Sequence, residues 1–267
     1  WVGILATSPE LQTGGTRGLM GGGSAPGVTN AIDYINVNTT GNSLDFGDLS
    51  YARRGVAALA SRTRGVFAGG RSSDNNGIDF VTIASTGNAA DFGDLTITSH
   101  HGTGISDGTR GIITAMENSA WTSNNSNRID FITIATTGNA QDFGDLFTGT
   151  RETGGCESKT RGIVFGGTPS GINVIQYFTI STQGDSTDFG DVSAVCSRGS
   201  AADGNSVRGL YNGDTDINYI TIATTGNAQD FGDLSVNSSY ATGAASPTRA
   251  VFHIGSAHPS VVNTIEY

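Results

Sequence analysis

Lysine occurs once in this chain, cysteine twice and proline five times among 267 residues. Each scarcity excludes something. The thirteen arginines form no run longer than Arg53-Arg54 and the formal net charge is −10, so no basic cluster exists of the kind that neutralises phosphates, which argues against a nucleic-acid partner. No apolar stretch approaches the roughly 20 residues that cross a bilayer, and Trp1 heads no positively charged leader. A first residue other than Met is expected of a processed, excised or partial chain. Helical periodicity is missing from every 11-residue window, while forty glycines and abundant Thr, Ser and Asn supply turns. The fold class is therefore all-β with many short strands. Composition shows no break, so 1–267 is expected to be one domain. Cys156 and Cys196 fall at different places in the chain's repeats, in no metal-type spacing, and are expected to be small buried residues before a disulfide.

What is present is repetition. TTGNSLDFGDLS (39–50), STGNAADFGDLT (85–96), TTGNAQDFGDLF (136–147), TQGDSTDFGDVS (182–193) and TTGNAQDFGDLS (224–235) recur at intervals of 46, 51, 46 and 42 residues. A second phrase runs out of phase with the first: TRG at 16–18, 63–65, 109–111 and 160–162, then VRG at 207–209 and TRA at 248–250. A small apolar run follows each, then a loop of variable length, then an alternating run such as GIDFVTI (77–83) or RIDFITI (128–134). Period-2 alternation rich in Ile, Phe, Tyr and Thr predicts a half-buried strand.

In the unit 50–96 four strands are expected: a near 55–61, b at 64–69, c at 78–84 and d at 91–97. Four short antiparallel strands per roughly 45 residues mark a β-propeller blade. Aligned on TRG, the chain ends at VVNTIEY where strand c belongs, and WVGILAT (1–7) falls where strand d ends. The prediction is a six-bladed β-propeller whose sixth blade, 237–267, is closed by residues 1–7 beside 261–267. Such closure removes exposed sheet edges.

Gly87 and Asn88 suit a tight connection between strands c and d. The carboxylates that follow, Asp45, Asp91, Asp142, Asp188 and Asp230, are expected to lock that turn by accepting backbone N–H bonds. Arg17, Arg64, Arg110, Arg161, Arg208 and Arg249 start strand b on the same face, which makes one Arg–carboxylate ion pair per blade boundary the expectation. No cofactor is expected, with Ca²⁺ on the Asp-rich turns as the alternative. Strand b ending in Gly-Gly before a variable loop and an aromatic strand c resembles the kelch repeat, though the kelch Trp is absent. The spelling x-x-Asp-x-Gly, best in STDFGDV (186–192), resembles the Asp-box of sialidase-type propellers without its following Thr-Trp; in that family its role is structural.

The b–c loops do not repeat, and variable loops on a rigid scaffold are where recognition sits. Trp121 among Asn124 and Asn125 offers an aromatic plate with amide donors that suits a sugar ring. Arg71, Asp74, Asp214 and His258 lie in the equivalent loops of other repeats. His100-His101 could serve a metal, but spacing places no third ligand, so a metal site is not expected. None of the five glutamates sits in a recognisable sialidase-like setting, and nucleophile elbows and phosphate loops are absent. TTGNAQDFGDL and TRGVFAGG resemble tandem repeats of large marine-phage structural proteins, tail-associated ones included, and of bacterial surface proteins. That resemblance implies a non-enzymatic module of a virion or cell surface, with other virion or surface proteins and host glycan as partners, and self-association open. The alternative is a kelch-like protein-interaction scaffold, and behind it a sialidase-like glycoside hydrolase.

Overall fold

The computed structural model describes residues 17–24, 27–72, 76–118, 126–168, 172–193, 195, 202–237, 240–246, 248–254, 256–257, 260–261 and 264–267. Within them the chain is all-β, with six small antiparallel sheets in a ring: a six-bladed β-propeller. Blade 2 shows the full unit, with Ala57–Ala60, Arg64–Ala68, Gly77–Thr82 and Ala90–Asp94 adjacent in chain order. Blades 3, 4 and 5 repeat it from Thr103–Ser106, Gly154–Glu157 and Ala202–Gly204 onward. Blade 1 is described from strand b, Arg17–Gly23, and blade 6 through strand c, Ile265–Glu266. An ideal Cβ on Gly18 of blade 1 would lie 3.8 Å from Ala244 Cβ of blade 6, so the ring closes. The expected closing strand, residues 1–7, lies outside the described residues.

Strand c is not half-buried as its alternation predicts. Ile78 and Val81 are both buried, because each blade is covered on both faces by its neighbours. Ile78 joins a cluster with Ile113, Ile132 and Ile134 of blade 3, while Val81 joins Leu19, Ile32 and Phe46 of blade 1. The core therefore lies in the slots between blades.

Three repeated devices cross those slots. In the first, the TGN segment of one blade pairs with the DFGD strand of the blade before it. Gly138 N donates to Phe92 O at 2.7 Å, Ala140 N donates to Asp94 O at 2.8 Å, and Asn139 Oδ1 accepts from Asp94 N at 3.1 Å. Asn88, Asp185 and Asn227 do the same at the other described junctions. The expectation that the first Asp of each phrase locks the turn is thus corrected for most blades. Asp45, Asp91, Asp142 and Asp188 point to solvent, and only Asp230, accepting from Gly232 N at 3.1 Å, makes the expected type of bond among the described residues.

The second device is the TRG arginine, which also departs from expectation. Arg17, Arg64, Arg110 and Arg161 donate Nη1 to the carbonyls of Ile83, Ile134, Ile180 and Ile222 in the next blade, at 2.9, 2.9, 2.8 and 3.0 Å. All six TRG arginines also lie over an aromatic of their own blade, in strand c or directly after it, as Arg64 over Phe80 at 4.5 Å, Arg208 over Tyr219 at 4.4 Å and Arg249 over Tyr267 at 3.6 Å. A planar cation with several N–H groups can stack and donate at once. Among the described residues, the DFG carboxylate that does meet an arginine is Asp142, 3.8 Å from Arg128.

The third device uses the polar residue of strand c. Asp79 accepts from Ser50 N at 2.9 Å and Ser50 Oγ at 2.8 Å, Asp130 accepts from Thr96 N at 3.0 Å, and Glu266 accepts from Ser235 N at 2.8 Å. Gln176 replaces the carboxylate in blade 4, accepting from Thr148 N and donating to Thr148 O.

Candidate functional site at the axial mouth

Successive strands a pack against one another around the axis. At the end where strands a begin and the b–c loops emerge, the repeat stops repeating. In four of the five DFGD phrases the seventh residue after the second Asp is Gly55, His101, Glu152 or Tyr240, and in the remaining one it is Arg198, outside the described residues. All four have left-handed backbones, with φ of 62°, 56°, 54° and 54°. Three non-glycine residues held in that region carry strain of about 1–3 kcal/mol each, and such strain clusters at functional sites. His101 and Tyr240 follow opposite junctions of the ring, blades 2/3 and 5/6, yet their rings come within 6.5 Å. They meet across the axis.

The residue before each of Gly55, His101 and Glu152 pairs with the b–c loop of the next blade. Arg54 and Arg71 exchange backbone hydrogen bonds, as do Arg151 and Thr168, and the strand Ser99–His100 pairs His100 opposite Glu117. Neighbours on a strand point to opposite faces, but the left-handed turn at His101 brings both imidazoles onto one carboxylate. His100 Nε2 is 3.3 Å and His101 Nδ1 is 3.4 Å from Glu117 Oε2. Glu152 Oε1 is 3.6 Å from His101 Nδ1, and Arg151 Nε is 3.6 Å from Glu117 Oε2. Thr168 Oγ1 donates to Glu152 at 3.2 Å. Burial pushes the His101 imidazole down to about 4, with His100 adding and Glu117 opposing. Burial lowers His100 as well, helped by Arg71, Arg151 and Arg54 against Glu117. Both rings are neutral near pH 7.

Of the ligand residues expected from sequence, Arg71 belongs to this mouth. Asp214 forms the turn of a tight hairpin between Arg208–Gly213 and Asp216–Thr221, with φ of 60°. Trp121, Asn124, Asn125, Asp74 and His258 lie outside the described residues. Glu117 and Glu152 were not singled out; the fixed offset from DFGD that yields Gly, His, Glu, Arg and Tyr marks Glu152, whereas no repeat marks Glu117. Cys156 is a buried free thiol, as expected of a small core residue, and Cys196 lies outside the described residues.

Two predictions arise here. Tyr240→Gly relieves a left-handed strain at a residue 43% exposed, so denaturant unfolding should show unchanged or up to about 1 kcal/mol greater stability. At the opposite end of strand a in blade 4, Glu157 is buried, and burial, then Asp203 and Asp107, raise its carboxyl well above the usual carboxylate range. The folded state then holds a proton that the unfolded chain releases, so stability falls as pH rises from the unfolded value toward the folded one. Glu157→Gln should remove that decline and stabilise the chain by about 1–3 kcal/mol at pH 8, with little effect near pH 4, in urea titrations at both pH values.

The class this architecture defines is the six-bladed β-propeller with a polar cluster at one mouth. No family model matches the chain, and no curated protein matches it in sequence. Among solved structures it is similar to that of YjhT, with a TM-score of 0.77 and 10% sequence identity over 99% of this chain and 92% of that one. A likeness at that identity shows the fold alone.

Proposed function

We propose that this propeller is a non-enzymatic contact module of a virion tail or fibre, or of a cell surface, and that it engages a host surface or its glycans through the b–c loop face. The observation that carries this reading is the contrast between the faces. One face spends its repeated residues on identical clasps between blades, whereas the other departs from repetition and holds His101, Glu152 and Tyr240 in strained conformations at the axis. The propeller fold itself fits an interaction or structural module. The engagement of Glu117 and Glu152 with His100, His101, Arg151 and Thr168 supports a binding rather than a hydrolytic role.

A glycan array probed with the chain and with a Tyr240→Ala variant tests the reading. Binding to a polysaccharide that weakens at least tenfold in the variant supports it. Clean negatives on arrays and host cells, together with a protein partner in pull-down, would instead favour the kelch-like scaffold, and turnover of sialosides would favour a hydrolase.

A further inference from the structure

We propose that His100, His101 and Glu117 form a binding site for a transition-metal dication of the Zn²⁺ class at the axial mouth. This goes beyond the contact reading and does not depend on it. The three ligand atoms, one from each residue, all lie within 4.8 Å of one another. In a tetrahedral zinc site with bonds of about 2.0–2.1 Å, neighbouring ligand atoms stand about 3.3–3.4 Å apart. The two histidine nitrogens stand 3.3 and 3.4 Å from Glu117 Oε2, two edges of such a tetrahedron, and the third edge, within 4.8 Å, closes when the two imidazoles draw together on the ion.

A second observation points the same way. His100 is 6% exposed, and its Nε2 has no hydrogen-bond partner among the described residues although it is aimed at the Glu117 carboxylate. A buried nitrogen in that condition is costly unless something occupies the space between the two groups. Neutral imidazoles are the form that binds metal. His and carboxylate together suit Zn²⁺, Ni²⁺ or Cu²⁺ better than Ca²⁺ or Mg²⁺, which take oxygen.

The surrounding charge sets a specific competition. Glu152 faces His101 and favours a cation, while Arg54 and Arg71 oppose one. Arg151 Nε, 3.6 Å from Glu117 Oε2, shares the oxygen a metal would take. Removing Arg151 should therefore tighten metal binding, an effect that a merely structural role for this cluster would not give.

The test uses the full chain without an affinity tag, stripped with EDTA and then titrated with Zn²⁺ in a calorimeter. One Zn²⁺ per chain is expected, with a Tm rise of about 5–10 °C at a hundredfold excess over Kd. His101→Ala and Glu117→Gln should each weaken binding at least tenfold, and Arg151→Gln should tighten it severalfold. Co²⁺ loaded into the wild-type chain should give ligand-field absorption and paramagnetically shifted histidine ring signals, a readout that requires no variant to fold. Absence of stoichiometric Zn²⁺, unshifted histidine signals with Co²⁺, displacement of Zn²⁺ by equimolar Ca²⁺, or preferential uptake of a carboxylate anion would each overturn the site.

Discussion

Gly93→Ala should destabilise the protein by about 3–4 kcal/mol, although it adds one methyl group on the outer strand of a blade. Gly93 has φ of +143°, and an ideal Cβ there would lie 2.5 Å from Gly138 O of the next blade. That carbonyl is held against the strand by the bonds from Gly138 N to Phe92 O and from Ala140 N to Asp94 O. The methyl group cannot be accommodated without separating the two backbones, so the backbone strain and the loss of the clasp add. Gly232 provides the control. Its φ is +147°, but an added Cβ meets nothing within 4 Å among the described residues, and the preceding Phe231 is 53% exposed where Phe92 is 2% exposed. Gly232→Ala should cost only the backbone strain, about 1–3 kcal/mol. Urea unfolding of the two variants checks the difference; equal costs would show that the neighbouring blade contributes nothing.

Arg53→Met should cost about 3–5 kcal/mol, because it leaves a carboxylate buried without its counter-charge. Arg53 is fully buried between blades 1 and 2. Its Nη2 lies 2.8 Å from Asp79 Oδ2, and its Nη1 donates to the carbonyls of Gly69 and Gly77, each at 2.9 Å. The ring of Tyr51 lies 4.4 Å beneath the guanidinium. Asp79 keeps its bonds from Ser50, which offset part of the loss. The double variant Arg53→Met/Asp79→Leu should recover much of the stability, since an apolar pair of similar volume needs no charge compensation. A double variant as unstable as the single one would assign the cost to the lost carbonyl bonds instead of the ion pair.

Arg53 also shows where sequence reading ends. Its neighbour Arg54 has the same residue type and adjoins it, yet Arg54 faces the axial cluster while Arg53 fills a slot between blades. Nothing in the spelling YARRG distinguishes them. The TRG arginines were legible as a boundary device because they recur, but their acceptor was not. A sequence pairs opposite charges readily, whereas the fold offers a backbone carbonyl of the next blade and an aromatic face beneath. The DFGD aspartates were misread for a related reason. The DFGD strand is clasped by the Asn of TGN in the following blade, or by Asp185 in its place, a partner about forty residues away that only the ring brings into register.

Blade number, strand order and the distinction between a repeated and a variable face were determined by the sequence alone. Period-2 alternation and the phase between DFGD and TRG are local properties of the chain, and local properties survive without tertiary context. The axial cluster was decided by tertiary structure. A left-handed turn at His101 cancels the strand's alternation, cross-strand pairing carries Glu117 to His100, and ring closure brings Tyr240 from the opposite junction to within 6.5 Å of His101. Each of these depends on backbone geometry between segments that sequence spacing does not encode.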